Sequence, residues 1–172
     1  FTFDEDKLWE ELKAIDIDNK IEIIEENFHR SEVAIENDNF ERNYCKAHCS
    51  NEWIFSFDAD EVLVNPVEFF VQYLPYVEKY HDKVDLTFTW MMPYKEFDDF
   101  YLMIANDDGS IFTGDTQGFT TSKYNTYTFC RWTDNQKHIK SPLAVLHWSF
   151  CRKAEEVEMK INNFGHSDKT AN

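Results

Sequence analysis

The run Trp53-Ile54-Phe55-Ser56-Phe57-Asp58-Ala59-Asp60-Glu61 constrains the fold more than any other stretch of the chain. It is apolar and β-prone, then closes with three carboxylates in four residues. The pattern predicts a strand over residues 53–58 that delivers its acids to its C-terminal end, where open α/β sheets bind ligands. Two carboxylates one residue apart suit oxygen ligation of a hard divalent cation, often alongside substrate phosphates. A solvated acidic turn would carry the same residues. The buried-looking strand before the acids, and the small Ala59 between them, favour a site.

Composition narrows the partners. With 172 residues the chain is most economically one domain with a sizeable core. An aromatic content of 17%, against 4 Gly and 4 Pro, argues against disorder. The formal net charge of −16 repels nucleic acid and anionic membranes. It also repels a phosphate-bearing substrate, so a local cation is expected to invert the field. No apolar run approaches the ~20 residues of a membrane helix. The chain starts at Phe1, so a fragment or processed product is expected. Cys45-x-x-His48-Cys49 has the wrong spacing for a zinc ribbon and reads as one face of a helix. With no disulfide required, a reducing, cytoplasmic compartment is the expectation.

Along the chain, Asp4 caps a helix over 5–15, and residues 21–24 read as a short strand. Residues 25–38 read as loop, and Phe40 to Cys49 as a helix leading into strand 53–58. Asn65-Pro66-Val67-Glu68 predicts a capped helix start, with Pro75 as an interruption before a second stretch to Tyr80. Val84, Leu86, Phe88 and Trp90 alternate with polar residues, as in a half-buried strand. A strand over 100–104, a turn at Asn106–Gly109 and a long loop over 113–125 follow. Strands at 127–131 and 143–146, the second ending at His147, precede a helix over about 153–164. The order implies an α/β fold, with βαβ units and parallel pairing first and antiparallel additions later.

Two segments resemble the family 2 nucleotide-sugar glycosyltransferases. One is Glu41-Arg42-Asn43, a helix through Cys49, then Asn51-Glu52 and the strand ending Asp58-Ala59-Asp60-Glu61. The other is Val145-Leu146-His147-Trp148-Ser149-Phe150, then Arg152, Glu155-Glu156-Val157 and Lys160 to Ser167. The resemblance implies a GT-A fold, a Rossmann-like mixed sheet flanked by helices. It further implies transfer of a sugar from a UDP- or GDP-sugar to a saccharide, lipid or protein acceptor, with inversion. It puts Asp58 and Arg42 at the donor, and Asp58, Asp60 and His147 at a Mn²⁺ or Mg²⁺ ion bridging the diphosphate. The chain departs from the family in having 57 residues before Asp58, too few for the usual opening βαβ unit.

An inverting transferase needs a carboxylate to take the acceptor's proton. Asp115, in Thr113-Gly114-Asp115, is the preferred base, with Asp98, Asp99 and Asp108 as rivals. Arg131 and Arg152 could contact phosphate, but in so acidic a chain they read first as partners of surface carboxylates; His166 is a weak site candidate, and Trp90, Tyr94, Phe97, Phe100 and Tyr101 are core or a sugar-stacking surface. Two other readings stand. In a haloacid dehalogenase-like phosphatase Asp58 would be the nucleophile and Asp60 the acid/base. In an inactive GT-A-like module the site would bind without turnover.

Overall fold

The computed structural model describes residues 4–81, 83–149 and 151–162, apart from the side chains of Glu5, Phe100, residues 114–120 and Ile161. Its centre is a five-stranded sheet. In chain order the sheet strands are β1 (Trp53–Phe55), β2 (Glu61–Leu63), β3 (Asp85–Met91), β6 (Thr113–Ser122) and β9 (His138–His147). Two hairpins lie apart from it, β4 (Pro93–Phe97) with β5 (Phe100–Met103), and β7 (Tyr127–Phe129) with β8 (Trp132–Thr133). The sheet order is β1-β6-β3-β9-β2. The β3–β9 pair is parallel and the other pairings are antiparallel. The fold is therefore mixed α/β, but the expected run of parallel βαβ units in the first half does not form. β1 pairs with β6, far along the chain, with Ile54 opposite Thr121.

β3 occupies the middle of this sheet, and that changes its burial. Simple alternation would expose Asp85 and Thr87, yet both are buried beside Leu86 and Phe88. Asp85 is tolerated because Thr121, Asn125 and Thr133 all donate to its carboxylate. A buried carboxylate needs such donors, and here they tie β3 to β6 and β8.

The core joins Leu63, Phe69, Val77, Leu86, Phe88 and Val145. Phe69 stands edge-on to Phe55 at 5.3 Å and lies 5.4 Å from Phe88, which seats the following helices on the sheet. These helices are α3 (Pro66–Glu68), a π turn over Phe69–Tyr73, and α4 (Leu74–Tyr80). Pro75 does not break the run. The π turn closes with Leu74 N–H on the Phe69 carbonyl, and Pro75 then falls in the first turn of α4, where no N–H is needed. Asn65 is left-handed (φ 55°) and makes no side-chain cap, contrary to the capping box expected there.

α1 (Glu5–Ile15) starts where expected, with Asp4 accepting from Lys7 N–H at 3.1 Å. Residues 21–24 are not a strand. α2 (Ala34–His48) begins well before Phe40, because Asn37 caps the preceding chain by accepting from the N–H groups of Arg30 and Ser31 at 2.8 Å each. Polar residues that suggested a loop are thus the first turns of a helix. Residues 113–122, expected as loop, are β6. α5 (Ala154–Asn162) ends the described chain. No described helix is long and apolar enough to cross a membrane.

Candidate functional site

The acidic segment is drawn across the sheet. The chain leaves β1 at one edge and enters β2 at the other, so residues 56–60 form the crossing. The strand expected to run to Asp58 stops at Phe55. The crossing is pinned at both acids. Asp58 N–H donates to Glu61 Oε2 at 2.8 Å while Glu61 N–H donates to the Asp58 carbonyl at 3.1 Å. Trp148 N–H donates to the Asp60 carbonyl at 2.9 Å, fastening the turn beside the end of β9.

Helix α2 brings a cation to it. The Asn43 side-chain amide pairs with the backbone of Tyr127 in both directions, at 2.9 Å each way, as a neighbouring strand would. That docks α2 on β7 and aims Arg42 at the crossing. Arg42 donates to Asp38, to Ser56 Oγ at 2.6 Å and to Asp58 at 3.1 Å. The Arg-Asn pair thus has two jobs, Asn43 for docking and Arg42 for Asp58.

Arg131 was expected at the surface and is instead buried. Its two terminal nitrogens grip Glu61 at 2.8 and 2.7 Å, and one also reaches Asp58 at 2.6 Å. Glu61 is itself fully buried. Burial, the largest influence, raises the Glu61 carboxyl above its usual range; the Asp58 charge adds to this, and the Asp58 N–H and Arg131 oppose it. At Asp58 burial again pushes upward, but Arg131 and Arg42 together outweigh it and hold the group low.

Asp60 lies in a second cluster. It accepts from Lys160 of α5 at 3.0 Å, from Ser149 Oγ at 3.1 Å and from Arg152 at 3.4 Å. His147 Nε2 lies 3.5 Å from Asp60 and 2.6 Å from Ser149 Oγ. Lys160 also donates to Ser149 at 2.7 Å. Since Ser149 has one proton to give, its bond to Asp60 requires His147 Nε2–H to donate to it. The other tautomer would strand an N–H at Nδ1, which is buried without a partner among the described residues. The imidazole stacks on Trp90 at 4.3 Å. Burial lowers its pKa, Lys160 and Arg131 lower it further, and Asp60 opposes, so His147 is neutral near pH 7. Burial pushes Asp60 up, yet the Lys160 hydrogen bond, the charge His147 takes on in acid and the Lys160 charge hold it low.

These groups line a cavity of about 590 Å³ that runs from Asp38 and Arg42 past Asp58 and Asp60 to His147 and Lys160. Of the expected site residues, Arg42, Asp58, Asp60 and His147 meet there. Asp98, Asp99 and Asp108 do not line it, and Asp108 instead accepts from Ser110 in its own turn. Asp115 lies within β6, not in a loop, and its side chain is outside the described residues. His166 is outside them as well. Lys160 and Ser149 were given no role at Asp60 by the sequence, and Arg131 was placed at the surface rather than on Glu61 and Asp58. Their signal was indirect: three crowded carboxylates need counter-cations, and basic residues are scarce here.

The residues as placed do not fit a divalent ion. Both Asp58 oxygens hold guanidinium groups, Asp60 Oδ2 holds Lys160, and His147 offers a protonated Nε2 and a buried Nδ1. Among the described residues no three His, Cys, Asp or Glu side chains are grouped to hold a metal. The four cysteines are free. No protein-family model matches the chain, and no curated protein or solved structure is significantly similar to it.

Proposed function

We propose that this chain binds a nucleoside diphosphate sugar in the 590 Å³ cavity and transfers the sugar to an acceptor hydroxyl. One observation carries the reading. The two segments that resemble family 2 glycosyltransferases lie about a hundred residues apart, yet their marked residues converge. Asp60 meets His147 at 3.5 Å and Lys160 at 3.0 Å, while Arg42 meets Asp58 at 3.1 Å. Chance likeness in two short segments gives no reason for them to close on one cavity.

In this reading the acceptor hydroxyl attacks the anomeric carbon as a carboxylate takes its proton. The sugar–phosphate bond breaks, and the nucleoside diphosphate leaves with the bonding electrons. Cationic side chains around Asp60 offset the charge that develops on the leaving phosphate. Asp115 remains the proposed base. Its support is backbone register: Thr116 pairs with Thr89 and Thr113 with Met91, so Asp115 lies on the stretch alongside Trp90, a cavity residue. The acceptor side is the groove of about 1100 Å³ lined by Tyr94, Glu96, Val157 and Arg152. Arg152 connects that groove to Asp60.

The test is titration of UDP and GDP into the chain, followed by incubation with the sugar nucleotide of whichever binds. Saturable binding of one nucleotide and slow release of free sugar are expected. Asp115→Asn should bind equally but lose turnover by about 10²-fold or more, the usual contribution of a general base. Binding of neither nucleotide would end this reading.

A further inference from the structure

The acid pair at the crossing is met by protein cations, and those cations differ in what they can still do. Arg42 spends its three nitrogens on Asp38, Ser56 and Asp58. Arg131 is buried on Glu61 and Asp58. Lys160 and Arg152 are different. Lys160 lines the cavity, is 29% exposed, and gives two of its three N–H groups to Asp60 and Ser149 among the described residues. Arg152 lines the adjoining groove rather than the cavity, is 40% exposed, and reaches across to Asp60 through one long contact of 3.4 Å.

We propose that Lys160 and Arg152 form a clamp for the phosphate groups of the ligand, with Asp60 as the carboxylate that holds both in readiness, and that this contact needs no divalent ion. That the ligand is a nucleoside diphosphate rests on the reading above; the clamp itself does not.

Three observations converge on it. The cavity is locally balanced in a chain of net charge −16: Arg42, Lys46, Arg131 and Lys160 stand against Asp38, Glu41, Asp58 and Asp60. An anion therefore meets less repulsion here than elsewhere on the surface. The two clamp residues sit at opposite ends of the α5 segment, one before its start and one in its last turn, yet both reach the same Asp60 oxygen. A lysine and an arginine sharing one carboxylate oxygen are spaced to share a phosphate oxygen. The atoms a metal would need are taken, as described above. Asp60 then competes with the incoming phosphate for its own cations, which fixes the sign of the key variant.

The experiment is calorimetric titration of inorganic pyrophosphate, UDP and GDP, each in EDTA and in Mn²⁺, into the wild type, Asp60→Asn, Lys160→Met, Lys160→Arg and Arg152→Gln. Thermal unfolding of each variant checks that it is folded. Pyrophosphate should bind in EDTA, with affinity changed less than about threefold by Mn²⁺. Lys160→Met and Arg152→Gln should each weaken it by about tenfold, the worth of one charge-assisted contact. Lys160→Arg should restore most of the loss. Asp60→Asn should bind as tightly as wild type or tighter. Nucleotide binding that requires Mn²⁺ and is lost in Asp60→Asn would overturn the clamp and leave the donor reading intact. Pyrophosphate binding in EDTA with no nucleotide binding would support the clamp and overturn the donor reading. No pyrophosphate binding under any condition would overturn the clamp.

Discussion

At the scale of single residues, the site is a set of buried charges that hold one another. Arg131 is the keystone, since Glu61 and Asp58 both depend on it. Removing one partner of a buried pair leaves the other unpaired in a low-dielectric setting, at a cost of about 3–5 kcal/mol. Arg131→Met should lose about that much in urea unfolding, and adding Glu61→Leu should recover a large part of it. If the double variant were no more stable than the single one, the pair would not be what links them. The neighbouring acids carry opposite signs in their pH dependence. Asp58 and Asp60 are held below their unfolded values, so their stabilisation is present above about pH 4, the usual carboxylate range, and is lost as pH falls through the lowered values. Glu61 is raised, so its contribution is complete in acid and declines as pH rises through its folded value. Asp60→Asn should therefore flatten the acid limb of a stability–pH curve below about pH 4. An unchanged acid limb would mean that Lys160 and His147 do not stabilise the Asp60 carboxylate in solution.

At the scale of elements, the site depends on docking surfaces that lie outside it. The bidentate pairing of Asn43 with Tyr127 fixes α2 against β7, and α2 carries Arg42. Asn43→Ala strands one donor and one acceptor, each worth about 1–3 kcal/mol when buried and unmet. It should destabilise the fold by about 2–6 kcal/mol for the two groups together and also weaken nucleotide binding, though Asn43 itself does not line the cavity. A variant that lost stability but bound nucleotide as well as wild type would separate α2 docking from the site. Some of these elements could be read directly. The 53–55 strand, the acids after it, the α1 cap and the β9 end at His147 all follow from local pattern, and local pattern is what a single sequence holds. β6 was missed because Thr, Gly and Ser in one stretch resemble a loop, although threonine is also β-branched and suits a strand. The antiparallel β1–β6 pairing joins residues more than sixty positions apart, and no local signal specifies it. Arg131 was misread for a similar reason. A basic residue at the end of an expected strand, in so acidic a chain, reads as a surface ion pair unless the buried Glu61 that waits for it is already known.

At the scale of the whole molecule, a locally balanced cavity sits in a strongly acidic chain. The two act at different distances. Contacts within the site are short and partly buried, so salt screens them weakly. The net charge of −16 acts on an approaching anion from beyond the site, where screening is strong. At about 0.01 M ionic strength the Debye length is about 30 Å, comparable to the molecule, and a nucleotide diphosphate meets the full repulsion. At about 0.15 M it falls to about 8 Å, and only charges near the cavity mouth are felt. The association rate of an anionic nucleotide should therefore rise with salt over this range, the reverse of electrostatic steering by a basic protein. The dissociation rate should move less, because it reports the short contacts to Lys160 and Arg152. Stopped-flow binding of a fluorescent nucleoside diphosphate at several salt concentrations separates the two rates. A fall in the association rate with salt would mean that the cations at the cavity, not the acidic surface, govern the approach. The clamp would then begin its work well before contact.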